Sequence, residues 1–348
     1  MHKMIVVLAA LCLTACATTA TAADKKSGKE PKWVMNPRSV YAENQYVSAV
    51  GFGKDRAAAE KKALGELVAI FGQNVKGETT VNERYTEAVR SGSVQISSDS
   101  ELAQAITTSY DLDTVVGAEV KDVWSDGKGT TYAVAVMEKA KCSVLYANLI
   151  ETNEETIGKL TTLPAGEENS LDAYARYDLA AAIADTNAQF LNVLSVLNPA
   201  QAAAKKGTLH AGDQLRLECL RIAQNIPIEV RVSGDREDRI RAAFASTVSD
   251  AGFKSGGEKS RYVLDVSLDL SEAVIANPEG NKYARYVIDA KLTDTAKGTV
   301  LLPFSINGRE GHVSLPEAEN RALRTAEKKI KADFSKAFSK YLVQLTSK

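Results

Sequence analysis

The chain has 348 residues, 45% of them hydrophobic and 25% charged, which is the composition of a globular protein with room for two or three domains. Its formal net charge of −1 provides no basic field for a nucleic acid, so nucleic-acid partners are not expected. The three histidines are far apart in sequence, and no cysteine or histidine spacing typical of a metal site occurs.

Residues 1–15 are predicted to be a lipoprotein signal peptide and not part of the fold. Lys3 is a short positive region, and residues 4–13 form an apolar run that is too short to span a bilayer. The run ends in the sequence LTAC, which resembles the bacterial lipoprotein box, where small residues precede an acylated cysteine. We expect cleavage before Cys16 and lipidation of its thiol. The alternative is an ordinary secretory signal cleaved near residues 20–23.

Acylation of Cys16 makes the membrane the first predicted partner. Each buried methylene contributes about 0.8 kcal/mol, so several acyl chains together form an anchor that does not readily dissociate. Ala17 stands where an aspartate would resemble the inner-membrane retention signal of some Gram-negative bacteria, so we expect the outer membrane, facing the periplasm. Residues 16–31 are small, polar and charged, and they predict a flexible tether.

Residues 46–72 predict a strand, a glycine turn and an alanine-rich helix. Asp55 stands at the N-cap position and Gly72 at the C′ position of that helix. The helix has one apolar face, which contains Ala59, Ala63, Leu67, Ile70 and Phe71.

The turn Gly51-Phe52-Gly53 also has a functional interpretation, because glycines after a strand are typical of a dinucleotide-binding loop. Such a loop needs a third glycine, and Arg56 stands in its place. The residues after the helix are polar and lack the apolar strand of a parallel Rossmann unit. We therefore interpret the glycines as positions where a helix packs closely on a sheet.

The remainder of the first domain, assigned to residues 32–138, is predicted to be a strand and a hairpin. Residues 73–85 alternate between apolar and polar side chains, which predicts a strand. Residues 114–124 and 130–137 alternate in the same way on either side of a turn rich in glycine and aspartate.

Residues 139–225 are predicted to contain a long antiparallel helical hairpin. Its arms are residues 138–160 and 171–197, and Ser170 is the expected N-cap of the second arm. Each arm is about 35–40 Å long at 1.5 Å per residue. Two interpretations remain open, a connector packed between domains and a protruding stalk for a partner.

Residues 226–348 are predicted to form a second small domain. Its elements in chain order are a strand at 228–232, a helix from Asp235 to Ala251, antiparallel strands at 262–270, 283–292 and 300–307, and a helix at 315–345. The predicted fold class is therefore α+β, with two small domains of strand-helix-antiparallel strands-helix order joined by the helical hairpin. A short similarity between residues 59–64 and 318–323 leaves an internal duplication open.

Two further cysteines, Cys142 and Cys219, have two interpretations. An oxidising periplasm permits a disulfide between them, and two buried, unpaired thiols are the alternative. No nucleophile elbow, phosphate-binding loop or cysteine–histidine pair occurs, and the carboxylates are scattered. We therefore predict no catalytic residue, no cofactor and no metal. Trp33 and Trp124 are expected in a core or at its rim and not in a sugar platform.

Several motifs together resemble those of the LPP-twenty lipoprotein family. They are Pro31-x-Trp33-Val34, Tyr46-x-x-x-Val50-Gly51-x-Gly53, Ala57-x-x-x-Lys61-x-Ala63 and the hairpin from Val116 to Val134. The resemblance covers about residues 31–150. It implies an outer-membrane-associated lipoprotein, and some relatives act in assembly of the flagellar basal-body rings. The family provides no catalytic residues, and Cys16 is the one functional position that transfers. Residues 226–345 loosely resemble the N-terminal α/β domain of the Tol-system translocation protein.

The function predicted from these features is that of a lipid-anchored, non-catalytic scaffold or adaptor for cell-envelope assembly, with envelope proteins as partners. A periplasmic enzyme or a lipoprotein that binds a small ligand or peptidoglycan is the first alternative. A structural surface antigen is the second.

Overall fold

The structure, a computed structural model, describes residues 29–72, 79–94, 106, 115–257, 259–275 and 280–347. Helices and two separate β-sheets are present, which confirms the predicted α+β class. The first domain contains α1 (Lys32–Met35), β1 (Tyr46–Gly53), α2 (Arg56–Ile70), α3 (Thr79–Arg90), β2 (Glu119–Ser125) and β3 (Thr131–Glu138). Its sheet has the order β1-β3-β2, and both pairs of strands are antiparallel.

Helix α2 packs directly on one face of this sheet because a glycine lies beneath it. A Cβ atom added to Gly51 would lie 2.1 Å from the backbone nitrogen of Ala63 and 2.6 Å from the carbonyl oxygen of Ala59. The predicted N-cap is also present, since the Ala58 N–H donates to the Asp55 carboxylate at 2.8 Å. Gly72 ends the helix with a φ of +85°. The glycines therefore have the packing role that the sequence indicated.

The strand predicted at residues 73–85 is wrong where the structure describes it, because helix α3 begins at Thr79. Residues 73–78 lie outside the described residues. The buried apolar side chains of α3 between residues 83 and 90 are Tyr85, Ala88 and Val89, and this spacing of three and four residues is helical. The alternation of apolar and polar residues before Tyr85 was too short to distinguish the two-residue period of a strand from the period of a helix.

The hairpin after α3 begins later than predicted, at Glu119 and not at residue 114, because Gly117 adopts a φ of +86° in a turn. A duplication of the two domains is not supported by their sheets. Strand β1 pairs antiparallel with the last strand of its hairpin, whereas the first strand of the second domain pairs parallel with the strand that follows its helix.

The predicted helical hairpin consists of α4 (Lys139–Thr161) and α5 (Leu171–Leu197), followed by α6 (Pro199–Lys206) and α7 (Gly212–Gln224). Ser170 caps α5 as expected, since its Oγ accepts the Ala173 N–H at 3.0 Å. Residues 179–197 of α5 contribute to the core of the first domain, and Leu171 and Ala173 contribute to the core of the second. The hairpin is therefore a packed connector and not a protruding stalk.

A buried polar network fixes α3 against the hairpin. The Tyr85 hydroxyl donates to Asn153 Oδ1 at 3.1 Å, and Asn153 Nδ2 donates to Asn187 Oδ1 at 2.7 Å. Asn187 Nδ2 then donates to Glu154 Oε1 at 2.8 Å. The tyrosine and both asparagines are fully buried, so each polar atom depends on a partner within the network.

The second domain contains β4 (Pro227–Ser233), α8 (Arg239–Asp250), β5 (Lys254–Ser255), β6 (Tyr262–Glu272), β7 (Lys282–Asp294), β8 (Thr299–His312), α9 (Leu315–Lys329) and α10 (Ser335–Gln344). The sheet order is β5-β4-β6-β7-β8. Strand β4 is parallel to β5 and β6, and β6, β7 and β8 form an antiparallel meander. Helices α8, α9 and α10 cover one face, with phenylalanines 244, 304, 334 and 338 in contact beneath them.

Two helices of this domain differ from their predicted form. Helix α8 begins four residues after Asp235, whose carboxylate accepts the N–H groups of Arg239 and Arg241 at 3.1 and 2.9 Å. The final helix is interrupted by a π-helical turn at Ile330–Phe334. That turn coincides with the burial of Phe334, whose ring centroid lies 4.9 Å from that of Phe244.

An ion-pair network attaches the loop of the hairpin to the second domain. Arg261 Nη2 lies 2.9 Å from Asp294 Oδ2 and 2.8 Å from Glu167 Oε2, and Glu167 belongs to the loop between α4 and α5. Burial would raise the pKa of Asp294, but hydrogen bonds from Arg261 and from the N–H groups of Ala296 and Lys297 outweigh it and lower that pKa. The charged form of Asp294 therefore stabilises the fold.

Substitution of Gly51 by alanine should destabilise the protein by about 2–3 kcal/mol, because the new methyl group would collide with the backbone of α2, which has no flexible atom to move aside. The free energy of unfolding in urea measures this. Gly65→Ala is the matched control within α2, since a Cβ there meets nothing within 4 Å, and it should stabilise by about 0.5–1 kcal/mol. Equal effects of the two substitutions would contradict the close packing of α2 on β1.

Asp294→Asn should destabilise the protein by about 2–4 kcal/mol at pH 7, because it removes the buried counter-charge that accepts from both Nε and Nη2 of the half-buried Arg261. Since the pKa of Asp294 is lower in the folded chain, the stabilisation is present above the unfolded pKa, near 3.9, and is lost as pH falls through the lower folded pKa. The difference in unfolding free energy between wild type and variant should therefore shrink below about pH 4. Asp289→Asn, at an exposed position of β7, is the control. A difference in unfolding free energy between wild type and Asp294→Asn that stays constant down to pH 2 would contradict the stabilising role of charged Asp294.

Candidate functional site

One face of the second sheet is not covered by helices. Along β7, Ile288, Ala290 and Leu292 point toward α8–α10 and are buried, whereas Asp289 and Lys291 are exposed on the opposite face. The same alternation occurs along β6, where Asp265 and Ser267 are exposed. This face of β6 and β7 is therefore solvated and carries polar side chains, as one face of an antiparallel sheet commonly does.

A broad cleft of about 890 Å³ lies on this face and crosses β4, β6, β7 and β8. Its polar lining includes Asp265, Ser267, Asp289, Lys291 and Ser305. Because the side chains project from one rigid sheet, their spacing is fixed by strand register and not by loop conformation. We call this surface the open sheet face.

The register places opposite charges and hydroxyl groups side by side. Asp265 lies opposite Lys291, and Asp289 lies between Ser267 and Ser305 on its two neighbouring strands. Within the described part of the chain, the side chains of Asp265, Asp289 and Lys291 take part in no hydrogen bond or ion pair. By contrast, Arg231 at the edge of the cleft is held by Glu229 at 2.8 Å. The three charged groups are therefore available to a partner.

This arrangement is suited to binding by complementary charge and hydrogen bonding. Asp265 and Asp289 are both exposed, so their carboxylates can accept hydrogen bonds from a bound partner. Among the residues that the structure describes, no group of three or more histidine, cysteine, aspartate or glutamate side chains could hold a metal ion.

In the structure the two cysteines are buried, unpaired thiols, which was the alternative to a disulfide. Cys142 and Cys219 are both buried and free, and their thiols contact different carbonyl groups, those of Gly117 at 3.7 Å and Tyr174 at 3.6 Å. Burial raises the pKa of Cys219 to about 12 and also raises that of Cys142, so neither is an activated thiolate. Cys16, the predicted lipidation site, lies outside the described residues.

The two tryptophans lie in a core and at a rim, as expected. Trp33 is 3% exposed and its Nε1 donates to Asp122 Oδ2 at 3.0 Å. Trp124 is half-buried, and its ring centroid lies 5.6 Å from that of Tyr132.

The open sheet face was missed by the sequence reasoning, although a signal for it exists. Asp265 and Ser267, and likewise Asp289 and Lys291, are polar residues two positions apart in predicted strands, so each pair projects from one face. What the sequence did not reveal is that all the helices of this domain pack on the other face. That depends on the side of the sheet to which the helical connections return, and the spacing of polar residues along a strand does not encode it.

No helix among the described residues is long and apolar enough to cross a membrane. The comparison with curated proteins gave no match. A minor lipoprotein from Acinetobacter baumannii is similar in structure at 11% identity and a TM-score of 0.25, over 34% of this chain and 93% of that one. A secreted protein from Helicobacter pylori is similar at 14% identity and a TM-score of 0.41, over 86% of this chain and 97% of that one. Both similarities are low.

The family comparison concerns the first domain, and it agrees with the motifs in the sequence. Residues 31–138, about a third of the chain, match the model of the LPP20 lipoprotein family. The match ends at Glu138, the last residue of β3, so it covers the complete three-stranded sheet with α1, α2 and α3. The predicted resemblance is confirmed over this domain: residues 31–138 are similar to the LPP20 lipoprotein family.

Proposed function

We propose that this lipoprotein is an envelope adaptor, anchored through acyl chains on Cys16 and binding other envelope proteins through the open sheet face. The observation that carries the proposal is the set of three charged side chains, Asp265, Asp289 and Lys291, which lie in one cleft and lack partners within the described chain. Protein interfaces use such groups to steer association and to fix the register of the partner.

The anchor is the first part of this proposal. The family of the first domain supports a lipid-anchored protein of the cell envelope, and the sequence before Cys16 has the small residues that lipoprotein processing needs. Because Ala17 follows, we propose the outer membrane, facing the periplasm. Assembly of flagellar rings is a narrower form of the same role, and loss of the rings on deletion of the protein would support it.

The adaptor role is the second part. The open sheet face is wide, its charged side chains lie beside apolar ones, and its cleft crosses four strands without a deep enclosed end. A partner would cover charges that alternate in sign across neighbouring strands, so matching charges should fix the position of the partner on the sheet.

The alternative, a small ligand or a peptidoglycan fragment, is favoured by the size of the cleft. Ligand pockets commonly measure 300–1,000 Å³, and 890 Å³ is within that range. Binding of soluble peptidoglycan fragments that is lost in Asp265→Asn, with no protein captured on this face, would favour this alternative over an adaptor.

Acylation of Cys16 predicts that the wild-type protein incorporates a clickable palmitate analogue in cells and that Cys16→Ala does not. Cys12→Ala is the matched control, because Cys12 belongs to the apolar run of the signal peptide and is removed with it, so labelling should persist. Mass spectrometry of the mature N-terminus should show cleavage before residue 16. Unchanged labelling of Cys16→Ala would overturn the anchor.

A photo-crosslinking side chain at Ser267 should capture one discrete envelope protein in living cells, and the product should disappear when Lys291→Glu reverses a charge of the cleft. Ser339 is the control position, because it is exposed on α10 on the helical side of the domain. Equal capture from both positions, or capture that survives the charge reversal, would count against the open sheet face as the binding surface.

A further inference from the structure

The first sheet carries a row of three aromatic rings on the face opposite α2. Phe52 on β1, Tyr132 on β3 and Trp124 on β2 are direct cross-strand neighbours. The ring centroids of Phe52 and Tyr132 are 6.3 Å apart, and those of Tyr132 and Trp124 are 5.6 Å apart. Phe52 is 63% exposed, and the other two rings are half-buried. We call these three side chains the aromatic row.

The segment that covers the remainder of this face leaves Phe52, at one end of the aromatic row, exposed. Residues 32–41 lie over Val134 and Val136, where Trp33 fills the contact, and they extend as far as Asp122, which lies beside the row. The same segment exposes two apolar side chains of its own, Met35 at 83% and Val40 at 51%. Both side chains therefore belong to the segment that packs on this face, and neither is part of its buried cluster. Contiguous exposed apolar side chains mark interaction sites.

The position of the chain entry indicates what this surface meets. Helix α1 begins directly after Pro31 on this face, and Cys16 precedes Pro31 by 31 − 16 = 15 residues. Fifteen residues span at most about 50 Å when fully extended, and much less on average. A lipid on Cys16 therefore holds a bilayer within reach of this side of the domain at all times.

The charges of the chain just before this face, and in its turns, also suit a bilayer. Residues 24–32 contain four lysines and two acidic residues, a net charge of +2 (4 − 2). Lys54 and Lys128 are exposed in the turns just beyond the aromatic row. Basic residues near anionic lipid headgroups contribute about 1 kcal/mol each, and tryptophan and tyrosine are enriched where a bilayer meets water.

We propose that the aromatic row, with Met35 and Val40, docks on the surface of a lipid bilayer and holds the first domain against it. This inference rests on the proposed anchor at Cys16, which brings the first domain to a bilayer. It goes beyond that anchor because it assigns a separate membrane contact to this sheet face. Docking buries Phe52 at the headgroup boundary, brings Trp124 near the acyl chains and leaves α2 on the far side.

Vesicles of phosphatidylethanolamine and phosphatidylglycerol in a three-to-one ratio, with brominated acyl chains, provide the test. Trp33 is buried, so quenching of tryptophan fluorescence in the acylated protein reports on Trp124. We expect quenching in the wild type and its loss in Phe52→Ser. With the unlipidated chain of residues 17–348, the same substitution should lower vesicle partitioning about tenfold, as expected for an aromatic side chain worth about 1.5 kcal/mol or more.

Ile70→Ser is the matched control, because Ile70 is 46% exposed on α2, on the other side of the sheet, and it should leave quenching and partitioning unchanged. Absence of quenching in the acylated wild-type protein, or equal effects of the two substitutions, would overturn the docking proposal. Failure of acylation at Cys16 would not affect the unlipidated measurement, so the two proposals fail separately.

Discussion

The fold depends on one helix that belongs to two hydrophobic cores. The first turn of α5 packs Leu171 and Ala173 into the second domain, and residues 179–197 pack into the first. Tyr177, between these parts, contacts both cores. The 27 residues of α5 span about 40 Å. A second link joins the domains at the C-terminus, where Arg84 of α3 donates to the Thr346 hydroxyl at 2.9 Å.

The composition of α5 explains how one helix is surrounded by so many neighbours. It is buried on nearly all sides, and its small side chains let α3, α4 and α7 approach its axis; these are Ala173, Ala175, Ala180, Ala181, Ala182 and Ala184. A helix buried all round loses the polar stripe of an ordinary surface helix. The single asparagine of its buried centre, Asn187, is satisfied by the network with Asn153 and fixes the register of α4 against α5.

The sequence was sufficient wherever local chemistry decides structure. Asp55 and Ser170 are N-caps in both the prediction and the structure, and the bounds of α5 agree because a cap residue and Asn198-Pro199 delimit it. The prediction failed at residues 79–85, where a short alternating pattern competed with helical packing on α5. The candidate site was out of reach for a different reason: whether a sheet face is covered depends on the side to which distant helices return, and strand periodicity carries no information about that.

The sharing of α5 has a mechanical consequence. The predicted tether joins the first domain, whereas the open sheet face belongs to the second, so a load applied between a membrane and a bound partner must cross the junction between the domains. In many two-domain proteins that junction is an extensible linker. In this protein the junction is the continuous helix α5, whose two ends lie in different hydrophobic cores. Arg261 also holds the loop before α5 through its ion pair with Glu167. Under tension the two domains would therefore move together as one rigid unit.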